Sequence, residues 1–183
     1  MADMGKKQQG LTLIELMVTL AMAIILVAVG MPLFSGIVAN NRATTQANAV
    51  LSAMKLARSE AVKRATDVFV CAAEVDLPVV SPATPACDTS TPTPVSRKGW
   101  IIHSDVNDSG AFDAGDILRT WDALSDSATV AATGPSQVQF GSTGEANGTF
   151  TFQLDDSQAS GTSTRCITVT LAGQARSKRG TCP

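Results

Sequence analysis

Tyrosine is absent from this 183-residue sequence, histidine occurs once, and aromatic residues make up only 4% of the chain. A single-stranded nucleic-acid platform built on base stacking needs aromatics that this composition does not supply. No GxSxG, HExxH or P-loop pattern occurs, and His103 is the sole imidazole, so an enzyme is not expected. On a strand, His103 and Asp105 share a face, but no nucleophile accompanies them. Charge of one sign is lacking as well. The net charge is −2, too near neutral to indicate a nucleic-acid or acidic partner from the total, and any electrostatic argument must be local. No CxxC pair occurs among Cys71, Cys87, Cys166 and Cys182, so a zinc site would need four widely spaced thiolates. Two disulfides in an oxidising compartment suit an even count better, with reduced, buried thiols as the alternative.

What the sequence does contain is concentrated at its N-terminus. Residues 1–10 are polar and carry Lys6 and Lys7, and residues 11–31 then run apolar with a single charge. At ~1.5 Å per residue that stretch spans roughly 31 Å, enough to cross the hydrocarbon core of a bilayer. The lysines orient it with the remainder of the chain outside the cytoplasm. Gly30-Met31-Pro32 is a poor match to a signal-peptidase site, so the segment is expected to be retained. Glu15 is the exception within it, because a carboxylate in a membrane helix costs up to ~3 kcal/mol unless it snorkels or finds a cation. A cut between Gly10 and Leu11 would create such a cation: the new amine lies one helical turn before Glu15, where it can pair with the glutamate of a neighbouring subunit.

Lys6-Lys7, the Gly10/Leu11 junction, Thr12-Leu13-Ile14-Glu15 and the apolar stretch with Pro32 together resemble the prepilin signature of type IV pilins and type II secretion pseudopilins. The resemblance implies removal of residues 1–10 by a prepilin peptidase and methylation at Leu11, which stands where the family usually has Phe. It also implies a single-pass protein of the inner membrane with its C-terminal domain in the periplasm, later incorporated into an extracellular pilus. Its partners would be other minor and major pilins, met through the N-terminal helix.

After residues 11–34, the membrane and assembly segment, residues 35–64 read as the second half of a helical spine. Val50, Met54, Ala57 and Ala61 recur on one face, and Lys63 and Arg64 suit the negative end of the helix dipole. Pro32 is expected to bend or locally melt the spine. Residues 65–183 read as a β-rich domain, with strands over 67–73, 100–104, 117–121, 137–140, 150–154 and 166–171. The fold expected is α+β and pilin-like, a long N-terminal helix packed on an antiparallel sheet or small sandwich. Four cysteines allow three pairings. Cys71 with Cys87 and Cys166 with Cys182 are preferred because each closes a short loop, the first bracketing part of a proline-rich stretch at 78–94 and the second stapling a C-terminal hairpin.

Residues 57–64, 68–71, 99–102, 105–107 and 113–116 resemble the FimT/FimU/GspH group of minor pilins. A minor type IV pilin that primes or caps pilus assembly is the leading expectation. The rivals are a DNA-binding minor pilin for uptake and a minor pseudopilin of type II secretion. Two local features bear on ligands. Asp105, Asn107, Ser109, Ala111, Asp113 and Asp116 have the spacing of a calcium loop, and a polar hairpin loop is the alternative; no other cofactor is expected. Arg176, Lys178 and Arg179 form a basic cluster, read as the turn of the C-terminal hairpin. FimT-like DNA-uptake pilins carry a Gly-Arg-x-Arg motif there; Gly173 and Arg176 match it, and Gln174 stands at the first Arg.

Overall fold

The computed structural model describes residues 12–73, 87, 99–105, 114–125, 127–156 and 164–183, with Pro32, Leu33 and Ala114 described by backbone alone. One helix, α1, runs from Leu13 to Arg64 over 52 residues, a length of ~78 Å. Thr12 caps it in an extended conformation, its hydroxyl accepting the Glu15 N–H at 3.3 Å. At the far end Ala65 adopts the left-handed conformation (φ 54°) and returns its N–H to the Ala61 carbonyl, closing the helix behind Lys63 and Arg64. The helix continues through Pro32. The ring removes one i→i−4 hydrogen bond, but neighbouring turns on both sides hold the backbone helical.

Among the described residues eight antiparallel strands follow: β1 (Val68–Ala72), β2 (Trp100–His103), β3 (Ile117–Trp121), β4 (Ala128–Thr133), β5 (Gln137–Phe140), β6 (Phe150–Asp156), β7 (Arg165–Val169) and β8 (Ala175–Arg179). They form two four-stranded sheets, ordered β3-β2-β1-β5 and β4-β6-β7-β8. The pleat sorts side chains by face. On β6, Phe150, Phe152 and Leu154 are buried while Thr151, Gln153 and Asp155 alternate outward. Those residues join Val68, Val70, Trp100, Ile102, Val138, Phe140, Ile167 and Val169 in one core against the second half of α1. The helix contributes Ala47, Val50, Ala53, Met54, Ala57 and Ala61 to it. The small side chains let both sheets approach the helix closely. The pilin-like fold expected from the sequence is the fold observed.

Both disulfides form, Cys71–Cys87 and Cys166–Cys182. Two strands differ from expectation. β4 lacks large apolar residues because it is the edge of its sheet and only half-buried. β8 occupies residues read from the sequence as a turn; the turn itself lies at 170–174, where the Gly173 N–H meets the Thr170 carbonyl at 2.7 Å. β8 is polar and solvent-facing along most of its length, so it carries no apolar alternation, and its cations suit an exposed sheet edge.

Candidate functional site

The two halves of α1 present different surfaces. From Thr12 to Met31 every side chain is exposed, Leu13 to 78%, and no charge other than Glu15 occurs between Leu11 and Asn41. This part of the helix is long and apolar enough to cross a membrane. Thr12 and Glu15 hold the spacing of a capping box, in which the cap hydroxyl meets the N3 amide. Glu15 thus sits in the first turn, where the helix dipole favours a negative charge. Gly10 and Leu11 lie outside the described residues.

The second half of α1 is tied to the domain by polar bonds as well as apolar packing. Arg42 donates to Ser127 at 3.1 Å and lies 3.8 Å from the buried Asp156 carboxylate. Gln46 donates to Ser125 at 2.6 Å, and Arg58 donates through Nε to the Gly144 carbonyl at 2.9 Å. Gly173 completes the last contact. Its φ is 70°, and a Cβ there would stand 1.9 Å from the Gly144 carbonyl oxygen. The glycine that matches the DNA-uptake motif therefore has a packing requirement of its own.

The basic residues fall on β8. Arg176, Lys178 and Arg179 are exposed, and Arg176 donates to the Gln174 carbonyl oxygen of the side chain at 3.0 Å. Cations of the helix face the same seam: a 650 Å³ cavity between α1 and β8 is lined by Lys55, Arg58 and Lys63 together with Arg176. Nearby, Glu60 pairs with Arg64 at 2.8 Å and Lys63 at 3.8 Å, and the Arg64 hydrogen bond holds its carboxyl below the usual range.

Of the calcium set, Asp105 and Asp116 are described and Asn107, Ser109, Ala111 and Asp113 lie outside the described residues. Asp116 is 1% exposed, closes the 3-10 turn Ala114–Asp116, and accepts the Ser104 N–H through its backbone carbonyl at 3.0 Å. His103 is half-buried, stacked 5.2 Å from Phe69, with Nε2 3.1 Å from the Cys87 sulfur. Burial pushes its pKa down, and the Asp116 charge opposes that shift without overcoming it. Cys71, Cys87 and His103 gather their ligand atoms within 4.8 Å. The two sulfurs are bonded to each other, which withdraws them from metal ligation.

What sequence reasoning missed includes Thr12 as the cap, Arg58 and Gly144 as the clamp on Gly173, and the burial of Arg165. The T-x-x-E spacing was the available signal for the cap. A buried arginine on a strand carries no comparable signal.

Residues 46–173 match the family described as Type II transport protein GspH, and residues 5–31 match the prokaryotic N-terminal methylation motif. No curated protein sequence matches at a significant level. Among solved structures, the type IV minor pilin FimU of Pseudomonas aeruginosa is similar, with a TM-score of 0.53 and 20% identity, covering 75% of this chain and 89% of that one. The minor pseudopilin EpsH from the Type 2 Secretion System of Vibrio cholerae is similar at TM-score 0.50 and 14% identity, covering 75% and 97%. At these identities the likeness is one of fold.

Proposed function

From the premise that the chain belongs to the GspH family, of minor pilin and pseudopilin type, we propose that it is a minor type IV pilin that primes or caps pilus assembly. The family and its fold neighbours are structural subunits, not enzymes. The observation that carries the reading is the bare half of α1: an apolar shaft with one carboxylate, joined to a domain that packs on the other half. Left in water, that shaft costs about 25 cal/mol for each Å² of apolar surface, so it needs lipid before assembly and neighbouring helices afterwards. In this reading a prepilin peptidase removes residues 1–10, Leu11 is methylated, and Glu15 receives a neighbour's terminal amine. Both disulfides belong to an exported domain, which fits passage from the inner membrane into a filament.

The test has two parts. Intact mass of the membrane-extracted protein should give Leu11 as the first residue, and a null mutant should lose surface pili while retaining protein secretion. Retained residues 1–10 on functional protein would overturn the processing step. Lost secretion with normal pili would move the chain to a type II secretion machine.

A second reading, DNA uptake, is favoured by the exposed cations of β8. Three phosphate contacts would bind duplex without reading its sequence and would fade steeply with salt. Changing Arg176, Lys178 and Arg179 together to Ala should then abolish transformation while pili still form.

A further inference from the structure

Arg165 is a charge without a counter-charge among the described residues. It is 9% exposed at the start of β7, and its Nη2 donates to Asn40 at 3.2 Å and Thr44 at 2.7 Å on α1. Both acceptors are neutral, and Nε is buried with no hydrogen-bond partner. No carboxylate pairs with Arg165 among the described residues. Its Cα partner across the β7–β8 ladder is Arg179, so two guanidiniums stand directly opposite on one face. Like charges so placed repel, and a buried cation lacking an anion is costly. No acidic residue follows Asp156 in the chain, so this hairpin supplies none.

The same residues line a space. Arg165, Ser177 and Arg179, with the adjoining Lys178, line a 330 Å³ cavity together with Thr44 and Asn48 of α1. That volume accepts a side chain and excludes a duplex. Among the described residues β8 is also the outer strand of its sheet, hydrogen-bonded to β7 on one side only. An extended peptide is the ligand that answers both features, since it can pair with a free strand edge while its carboxylates meet guanidiniums in a forked geometry.

We propose that the seam between α1 and β8 receives an acidic, extended segment of an adjoining subunit, whose backbone lengthens the sheet at β8 and whose carboxylates neutralise Arg165 and Arg179. The inference rests on the filament-subunit reading above and names the chemistry of one of its contacts. A free anion would neutralise the charges but leave the strand edge open. A duplex would reach the exposed Lys178 and not the recessed Arg165.

The experiment uses the full chain in detergent and titrates a short extended peptide of alternating glutamate and threonine. Its arms are the same peptide with lysine for glutamate, inorganic phosphate, and a short DNA duplex. The acidic peptide should bind saturably and slow hydrogen exchange at the β8 amides. Arg179→Gln, an exposed change that leaves the helix contacts intact, should weaken it about tenfold, the equivalent of 1.4 kcal/mol. Arg165→Lys, which keeps the charge and loses the fork, should weaken it as well. Absence of binding, equal binding of the lysine peptide, or indifference to Arg179→Gln would each overturn the proposal. So would binding of phosphate or duplex where the acidic peptide fails. Processing at Leu11 and recovery of the chain in filaments are scored on the same preparations. A chain that passes those and fails the peptide titration loses this inference alone.

Discussion

The two halves of α1 share a backbone and differ in almost everything else. Between residues 39 and 61 the buried positions are Ala39, Ala43, Ala47, Val50, Ala53, Met54, Ala57 and Ala61. Between 13 and 38 the helix instead carries leucine, isoleucine, methionine and valine, open to the surroundings wherever the side chain is described. Small residues mark where the partner is already in the molecule, because two sheets must come close to the helix axis. Large apolar residues mark where the partner is elsewhere. One helix is therefore two devices, a domain strut and an anchor, and side-chain size tells them apart where secondary structure cannot.

The most damaging way to probe that contrast is to shorten an apolar side chain in each half. Met54 is fully buried under the sheets, so Met54→Ala should cost about 2–5 kcal/mol of domain stability through lost burial and the cavity left behind. Leu20, exposed at 55%, should change domain stability by less than ~0.5 kcal/mol when made Ala. Denaturant unfolding of the full chain in detergent, followed by fluorescence of Trp100 and Trp121, measures both. A comparable loss at the two sites would mean the halves are not independent.

A smaller effect should come from pH, and it too should be confined to the packed half. Burial holds His103 below its ordinary pKa of ~6.5 in the folded state, while the unfolded chain titrates normally. The unfolded state then binds more protons as pH falls through that value. The histidine's contribution is complete above ~6.5 and is lost as pH drops toward the folded pKa. His103→Gln should flatten this limb of the stability profile without altering the plateau near neutrality. A limb unchanged by the substitution would assign it to groups other than His103.

Much of this arrangement was legible in the residues. The lysine-glycine-leucine junction and the apolar run marked the shaft, and the spacing of Val50, Met54, Ala57 and Ala61 marked the face that packs. Alternation at 150–154 found β6, and loop length found both disulfides. β4 and β8 escaped because small or polar residues fill them, so neither carries the inward apolar set that makes a strand visible. Arg165 and Gly173 owe their settings to residues distant in sequence, Asn40 and Thr44 for the first and Gly144 for the second. Glu15 stood out as a charge, and its T-x-x-E spacing from Thr12 signalled a capping box that the cap geometry then shows.

That cap makes Glu15→Gln the sharpest test, and the one with the least effect on the fold. Glutamine also serves at the third position of a capping box, so the first turn should keep its hydrogen bonds. The loss of a charge at the positive end of the helix is worth about 0.3–1 kcal/mol at an exposed site, borne by the helix start alone. Domain stability, read by the same unfolding experiment, should therefore not move. Membrane insertion should persist or improve, since a neutral side chain is less costly in lipid. Incorporation into the filament should fall sharply if, as proposed, Glu15 receives a neighbour's terminal amine and so sets the stagger between subunits. Normal incorporation would leave Glu15 as a capping and snorkelling residue with no intermolecular role. A fall in domain stability would be the more serious result: it would couple the shaft to the sheets across more than twenty residues of helix and undo the division of α1 into anchor and strut.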